Sequence, residues 1–176
     1  MVLNSIGVPA PPRADSAVTR LLPIATTLLA TVISIEPVHI PGYAALTPAF
    51  TLMAVYHWTI YRPDLLPPST LFIVGIIQDL LAGVLPGATA LVFLLARTAV
   101  LPFRRHFANR QFPFVWTGFT FLTCGATLFL WSLYCLLDRV VVDFRGTLFR
   151  AVLTVSMFPI ASFLLGRVQR TLMGTR

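Results

Sequence analysis

Six continuous apolar runs constrain this chain more than any other feature. They cover about residues 18–35, 43–60, 69–85, 88–103, 114–137 and 147–165. None alternates polar and apolar residues with period two, so they do not read as barrel strands. A helix satisfies its own backbone wherever water is absent, and continuous apolar runs of this length read as helices. The segments between them are short and hold most of the charge. Only 11% of the 176 residues are charged and 57% are hydrophobic, whereas a soluble domain averages about 25% charged residues. A soluble fold of this size has no interior that could hold so much apolar surface. The expected fold is therefore an all-α integral membrane protein, a bundle of six transmembrane helices over residues 18–166. A Pro-rich tail, 1–17, reads as disordered and cytoplasmic, and residues 167–176 read as a basic cytoplasmic tail. Several runs fall short of the roughly 20 residues that a perpendicular span prefers, a mismatch that local thinning or interfacial anchoring can meet.

Arginine sets the orientation. The net charge is +7, and every basic residue other than histidine is Arg. With the N-terminus inside, the inner side receives Arg13, Arg20, Arg62, Arg104, Arg105, Arg110, Arg167, Arg170 and Arg176. The outer side receives Arg139 and Arg145, offset by Asp138 and Asp143. This positive-inside bias places both termini in the cytoplasm. It is equally compatible with a 69–103 hairpin that spans fully and with one that re-enters. The inner loop with Arg104, Arg105 and Arg110 serves as a topology signal or as a contact for anionic lipid headgroups. No basic run interleaved with aromatics suggests a nucleic-acid groove.

Within the third run, Gly75, Asp79, Gly83 and Gly87 recur every four residues. Such steps drift only about 40° around a helix, so they predict one stripe of small residues with a single acid. Small residues let helix backbones approach closely, and the stripe reads as a packing or partner interface. A carboxylate in an apolar segment is expensive and calls for a reason. Asp79 admits three readings: a hydrogen-bonded structural anchor, one half of an ion pair, or a transport or catalytic group. Arg97, in the next run, is the candidate partner. From the turn between the runs, Asp79 lies roughly 10 Å down one helix and Arg97 roughly 15 Å down the other. Only Pro86-Gly87 is expected to separate the two helices. Tyr56, Trp58 and Tyr61 at the end of the second run look like an interfacial aromatic belt, with His57 among them. Cys124 and Cys135 lie about 16 Å apart along one helix, too far to bond, and read as buried bystanders. No histidine joins acids or cysteines at metal-ligand spacing, and no nucleophile motif is present. No catalytic residue, cofactor or metal is expected.

The segment YHWTIYRPDLLPPSTLFIVGIIQDLLAGVLPGATAL carries a resemblance. Tyr56 and Trp58, then Arg62-Pro63 and Leu66-Pro67, then Gly75, Asp79, Gly83, Gly87 and Ala90-Leu91 resemble the rod-shape-determining MreD family of bacteria. His57 departs slightly from that pattern. The resemblance implies a non-enzymatic inner-membrane subunit of the cell-elongation machinery. Its implied partners are MreC, indirectly the actin-like MreB, and the pair of RodA with a class B penicillin-binding protein that builds lateral peptidoglycan. The family is also similar in fold to the substrate-binding S components of energy-coupling-factor vitamin transporters. That likeness supplies the alternative, an S-component-like subunit. Against it, the first run has Ala25 and Ala30 five apart instead of a four-residue alanine stripe, and the outer loops are short.

Overall fold

The computed structural model describes residues 17–35, 47–104, 112–138 and 144–173. Among these lie six α-helices and no strand. They are α1 (Ala17–Ile35), α2 (Phe50–Tyr61), α3 (Pro68–Ala82), α4 (Ala88–Val100), α5 (Phe112–Asp138) and α6 (Phe144–Met173). Short 3-10 turns, Pro63–Leu65 and Leu101–Phe103, follow α2 and α4. The tail 1–16, the expected start of the second run at Tyr43, and Arg105 and Arg110 of the basic loop lie outside the described residues.

Helix α2 is the axis of the bundle. Every residue from Thr51 to Ile60 is buried, with α1, α4 and α6 packed around it. This corrects the expectation of an interfacial belt, because Tyr56 and Trp58 are 1% and 0% exposed. The Tyr56 hydroxyl donates to the Val115 carbonyl of α5 at 2.9 Å. Its ring packs against Phe119 of α5 and Phe158 of α6, with centroids 5.2 and 5.7 Å away. The Trp58 indole donates to Thr26 Oγ1 of α1 at 3.0 Å. Of the three aromatics only Tyr61, at the helix end, is exposed. His57 is buried too, its ring 4.7 Å from that of Tyr61 and its Nε2 3.4 Å from Gln169 Oε1.

A buried helix cannot give its terminal backbone groups to water, so other elements must take them. At the start of α2, the Thr51 N–H donates to Ser34 Oγ of α1 at 3.3 Å and the Ala49 N–H to Thr154 Oγ1 of α6 at 3.1 Å. The same solution recurs at Pro159 inside α6. Proline has no N–H to give the carbonyl four residues back. That carbonyl, Val155, instead accepts the Trp116 indole N–H from α5 at 3.0 Å.

Polar side chains share the interior of the bundle with the apolar core, and large apolar side chains face outward. Its interior holds Thr27, Thr31, Thr51, Thr59, Thr123, Thr154 and Asp79, all buried. Its exterior presents Phe121, Leu136, Ile160, Phe163 and Leu164, each more than half exposed. Two helical segments, Phe112–Leu137 and Phe144–Gln169, are long and apolar enough to cross a membrane. Cys124, expected to be buried, lies on the exposed side of α5. The α3–α4 turn shares a cavity wall with Ala49, Tyr134 and Thr147, at the start of α2, the end of α5 and the start of α6. Phe103 and Gly118 meet in a groove toward the opposite end. The α3–α4 hairpin therefore lies alongside α5 between about Gly118 and Tyr134.

Candidate functional site

The stripe residues sit on the α3–α4 hairpin, and each meets a different constraint. Gly75 is buried where α3 crosses α4. A Cβ placed there would lie 2.6 Å from the Ala90 backbone nitrogen and 2.7 Å from the Ala90 Cβ. Only hydrogen fits, so the two backbones touch. Gly83 lies just beyond the end of α3, at Ala82, with φ of 65°. Its N–H reaches the Leu80 carbonyl at 3.3 Å and the Val84 N–H reaches the Asp79 carbonyl at 3.1 Å. This is the Schellman pattern, which calls for a left-handed residue at that position. Gly87, with φ of 103°, precedes α4. A Cβ on Gly83 or Gly87 would meet nothing within 4 Å, so backbone conformation and not packing makes them glycine. The connection between the helices is thus Gly83–Gly87, longer than the expected Pro86-Gly87.

Asp79 fastens this turn from below. Its carboxylate is 0% exposed. Oδ2 accepts the Gly87 N–H at 2.8 Å, and the Thr89 N–H points at both oxygens, at 3.1 and 3.2 Å. The carboxylate therefore caps α4 from the neighbouring helix, where orphan amides and the helix dipole favour negative charge. With its carbonyl ending α3 and its side chain starting α4, one residue holds both ends of the turn.

Arg97 does different work at the other end of the hairpin. Its Nη1 donates to the Leu66 carbonyl at 2.6 Å and to the Pro63 carbonyl at 3.2 Å. Those carbonyls belong to the turn joining α2 to α3, where Pro63, Pro67 and Pro68 supply no N–H. Thr89 and Arg97 are eight residues apart on α4, about 12 Å along its axis, so one helix separates the acid from the base. The Arg62 N–H closes α2 on the Trp58 carbonyl at 2.8 Å. Pro63 is buried in the 3-10 turn, and Pro67, extended at φ −65° and ψ 158°, precedes α3. The residues of the resemblance thus form one continuous path: the buried aromatics of α2, a proline turn pinned by Arg97, a glycine crossing, and a turn capped by Asp79. Arg104 lies half-buried after the second 3-10 turn.

Sequence reasoning did not find Thr89 and Ala90 as partners of the stripe, nor Ser34 and Thr154 as acceptors for the amides that open α2. Nothing in a one-dimensional pattern marks a capping group that arrives from another helix. Among the described residues no cluster of three or more His, Cys, Asp or Glu could hold a metal ion. The Asp79 oxygens are turned to backbone amides and not to an open space. The arrangement is suited to holding helices at fixed positions.

Neither the characterised proteins nor the solved structures contain a match to this chain. A family description, rod shape-determining protein MreD, matches residues 15–168. That interval takes in all six helices apart from the last residues of α6. The chain belongs to the MreD family of rod shape-determining proteins.

Proposed function

We propose that this protein is a multi-pass, non-enzymatic subunit of the bacterial inner membrane, with both termini in the cytoplasm. It supports lateral peptidoglycan synthesis by binding MreC and, through that assembly, acts with MreB, RodA and a class B penicillin-binding protein. The observation that carries this reading is the family match across residues 15–168. Two structural features support the membrane part. Many large apolar side chains are exposed while threonines and Asp79 are buried, as a lipid solvent allows. Backbone groups stranded by proline or by a helix start are taken up by Trp116, Arg97, Asp79, Ser34 and Thr154, as a segment without water requires.

The partner-facing part rests on the hairpin. Gly75, Asp79 and Arg97 lock it internally, which leaves Ile73, Ile77, Leu80 and Leu81 of α3 exposed on its outer side. A rigid apolar helix face can recognise another membrane helix by close van der Waals packing. Affinity co-purification with MreC in mild detergent tests this. The wild-type chain is expected to recover MreC, and Ile73→Trp with Leu80→Trp is expected to lose most of it without loss of folded protein. Absence of MreC from the wild-type preparation would overturn the proposal.

A further inference from the structure

A cavity of about 250 Å³ opens between the α3–α4 turn and the facing ends of α5 and α6. Two of the polar atoms that line it are buried without a hydrogen-bond partner, and a third polar group is a cation. Thr123 on α5 is 2% exposed, and its Oγ1 is buried with no hydrogen-bond partner. Gln78 Oε1, contributed by α3, is likewise buried and unpartnered. Arg150 of α6 lines the cavity beside Tyr134 of α5, and among the described residues no carboxylate pairs with its guanidinium. A cation on a membrane helix with no carboxylate beside it calls for an anion or an escape to the interface. Two buried orphan polar atoms call for a hydrogen-bonding occupant.

The cavity does not end at these groups. Val92 and Ala126 line both it and a second, apolar groove of about 580 Å³ between α4 and α5. That groove runs along α5 past Gly125 to Gly118. From Leu130, at the cavity, to Gly118 is about 18 Å of helix, comparable with the roughly 15 Å of hydrocarbon in one leaflet. A Cβ on Gly125 would meet nothing within 4 Å, so the groove is open there.

We propose that this paired cavity and groove bind one anionic phospholipid. Its phosphate faces Arg150, its glycerol hydroxyl or ester groups meet Thr123 and Gln78, and one acyl chain lies along the α4–α5 groove. Charge complementarity selects an anionic head over a zwitterionic one, and the apolar groove selects a lipid over a free anion. The proposal rests on the membrane-spanning reading of the bundle and is independent of its role in cell shape.

Native mass spectrometry of the delipidated full chain tests it, with phosphatidylglycerol, phosphatidylcholine or inorganic phosphate added back. Phosphatidylglycerol is expected to bind at one molecule per chain, more tightly than phosphatidylcholine. Arg150→Gln should weaken it by about fivefold, and Arg150→Lys should restore most of that loss. Gly125→Leu should weaken both lipids by filling the groove. Circular dichroism and a monodisperse elution profile confirm that each variant is folded. Equal binding of the two lipids, or no response to Arg150→Gln in folded protein, would overturn the anionic site. Displacement of phosphatidylglycerol by millimolar phosphate would show a site for a free anion and overturn the lipid. Recovery of MreC by the same preparation is a separate readout, so failure of this site leaves the partner proposal standing.

Discussion

The Arg97 guanidinium donates to the Leu66 carbonyl at 2.6 Å, tying the last turn of α4 to the turn that joins α2 to α3. The bond fixes three consecutive helices at one point. Leu66 is completely buried, and the prolines around it leave its carbonyl without a local donor. Replacing Arg97 by Met removes that donor and strands two carbonyls, at about 1–3 kcal/mol for a buried orphan group. Unfolding in mixed detergent micelles is expected to shift by that amount. Arg97→Lys should recover part of it, because an ammonium can still donate.

Asp79 is expected to respond to chemistry more than to charge. Asp79→Asn keeps one acceptor oxygen for the Gly87 and Thr89 amides and should cost about 1 kcal/mol. Asp79→Leu keeps none and should cost about 3 kcal/mol, toward the upper end for buried orphan donors. The same micelle unfolding measurement distinguishes them. Equal losses would mean that the negative charge at the helix start, and not the hydrogen bonds, holds the turn.

The glycines should separate by mechanism. Gly75→Ala drives a methyl into the Ala90 backbone and should destabilise by about 1–3 kcal/mol. Gly83→Ala meets no atom but places a side chain at φ of 65°, for about 1 kcal/mol. Gly125→Ala falls in open space within a helix and should lie within about 0.5 kcal/mol of wild type. A thermal series on the three variants checks the order.

Trp116→Phe keeps the ring but removes the N–H that serves the Val155 carbonyl ahead of Pro159. The loss should be about 1 kcal/mol, as for an interhelical hydrogen bond in a membrane protein. If Pro159→Ala, which restores a helical donor, is introduced with Trp116→Phe, that loss should shrink. A double-mutant cycle in micelles measures the coupling.

Much of the helix order was legible because the apolar runs between Arg- and Pro-bearing segments are long and sharply bounded. Position within the bundle was not. Buried and exposed positions of this bundle are both rich in apolar residues, so the pattern around Tyr56 and Trp58 fits an interfacial belt as well as a central helix. Their hydroxyl and indole partners, Val115 and Thr26, are distant in sequence and unmarked. Gly83 was more readable than its use suggested. A glycine just past an apolar helix is a common left-handed terminator, and four-residue spacing to Asp79 drew attention to a face when the residue was already outside the helix. The distinctness of Asp79 and Arg97 was visible, but their partners were not. Both bind backbone groups, which every residue possesses and no composition reveals.

A membrane subunit that sustains rod shape should change cell form when it is withdrawn. Cell width measured by microscopy during depletion and re-expression in the bacterial host tests this most directly. Depleted cells are expected to widen and round, the wild-type chain to restore rods, and Arg97→Met to restore them poorly. Depleted cells that keep their width and shape would contradict that role.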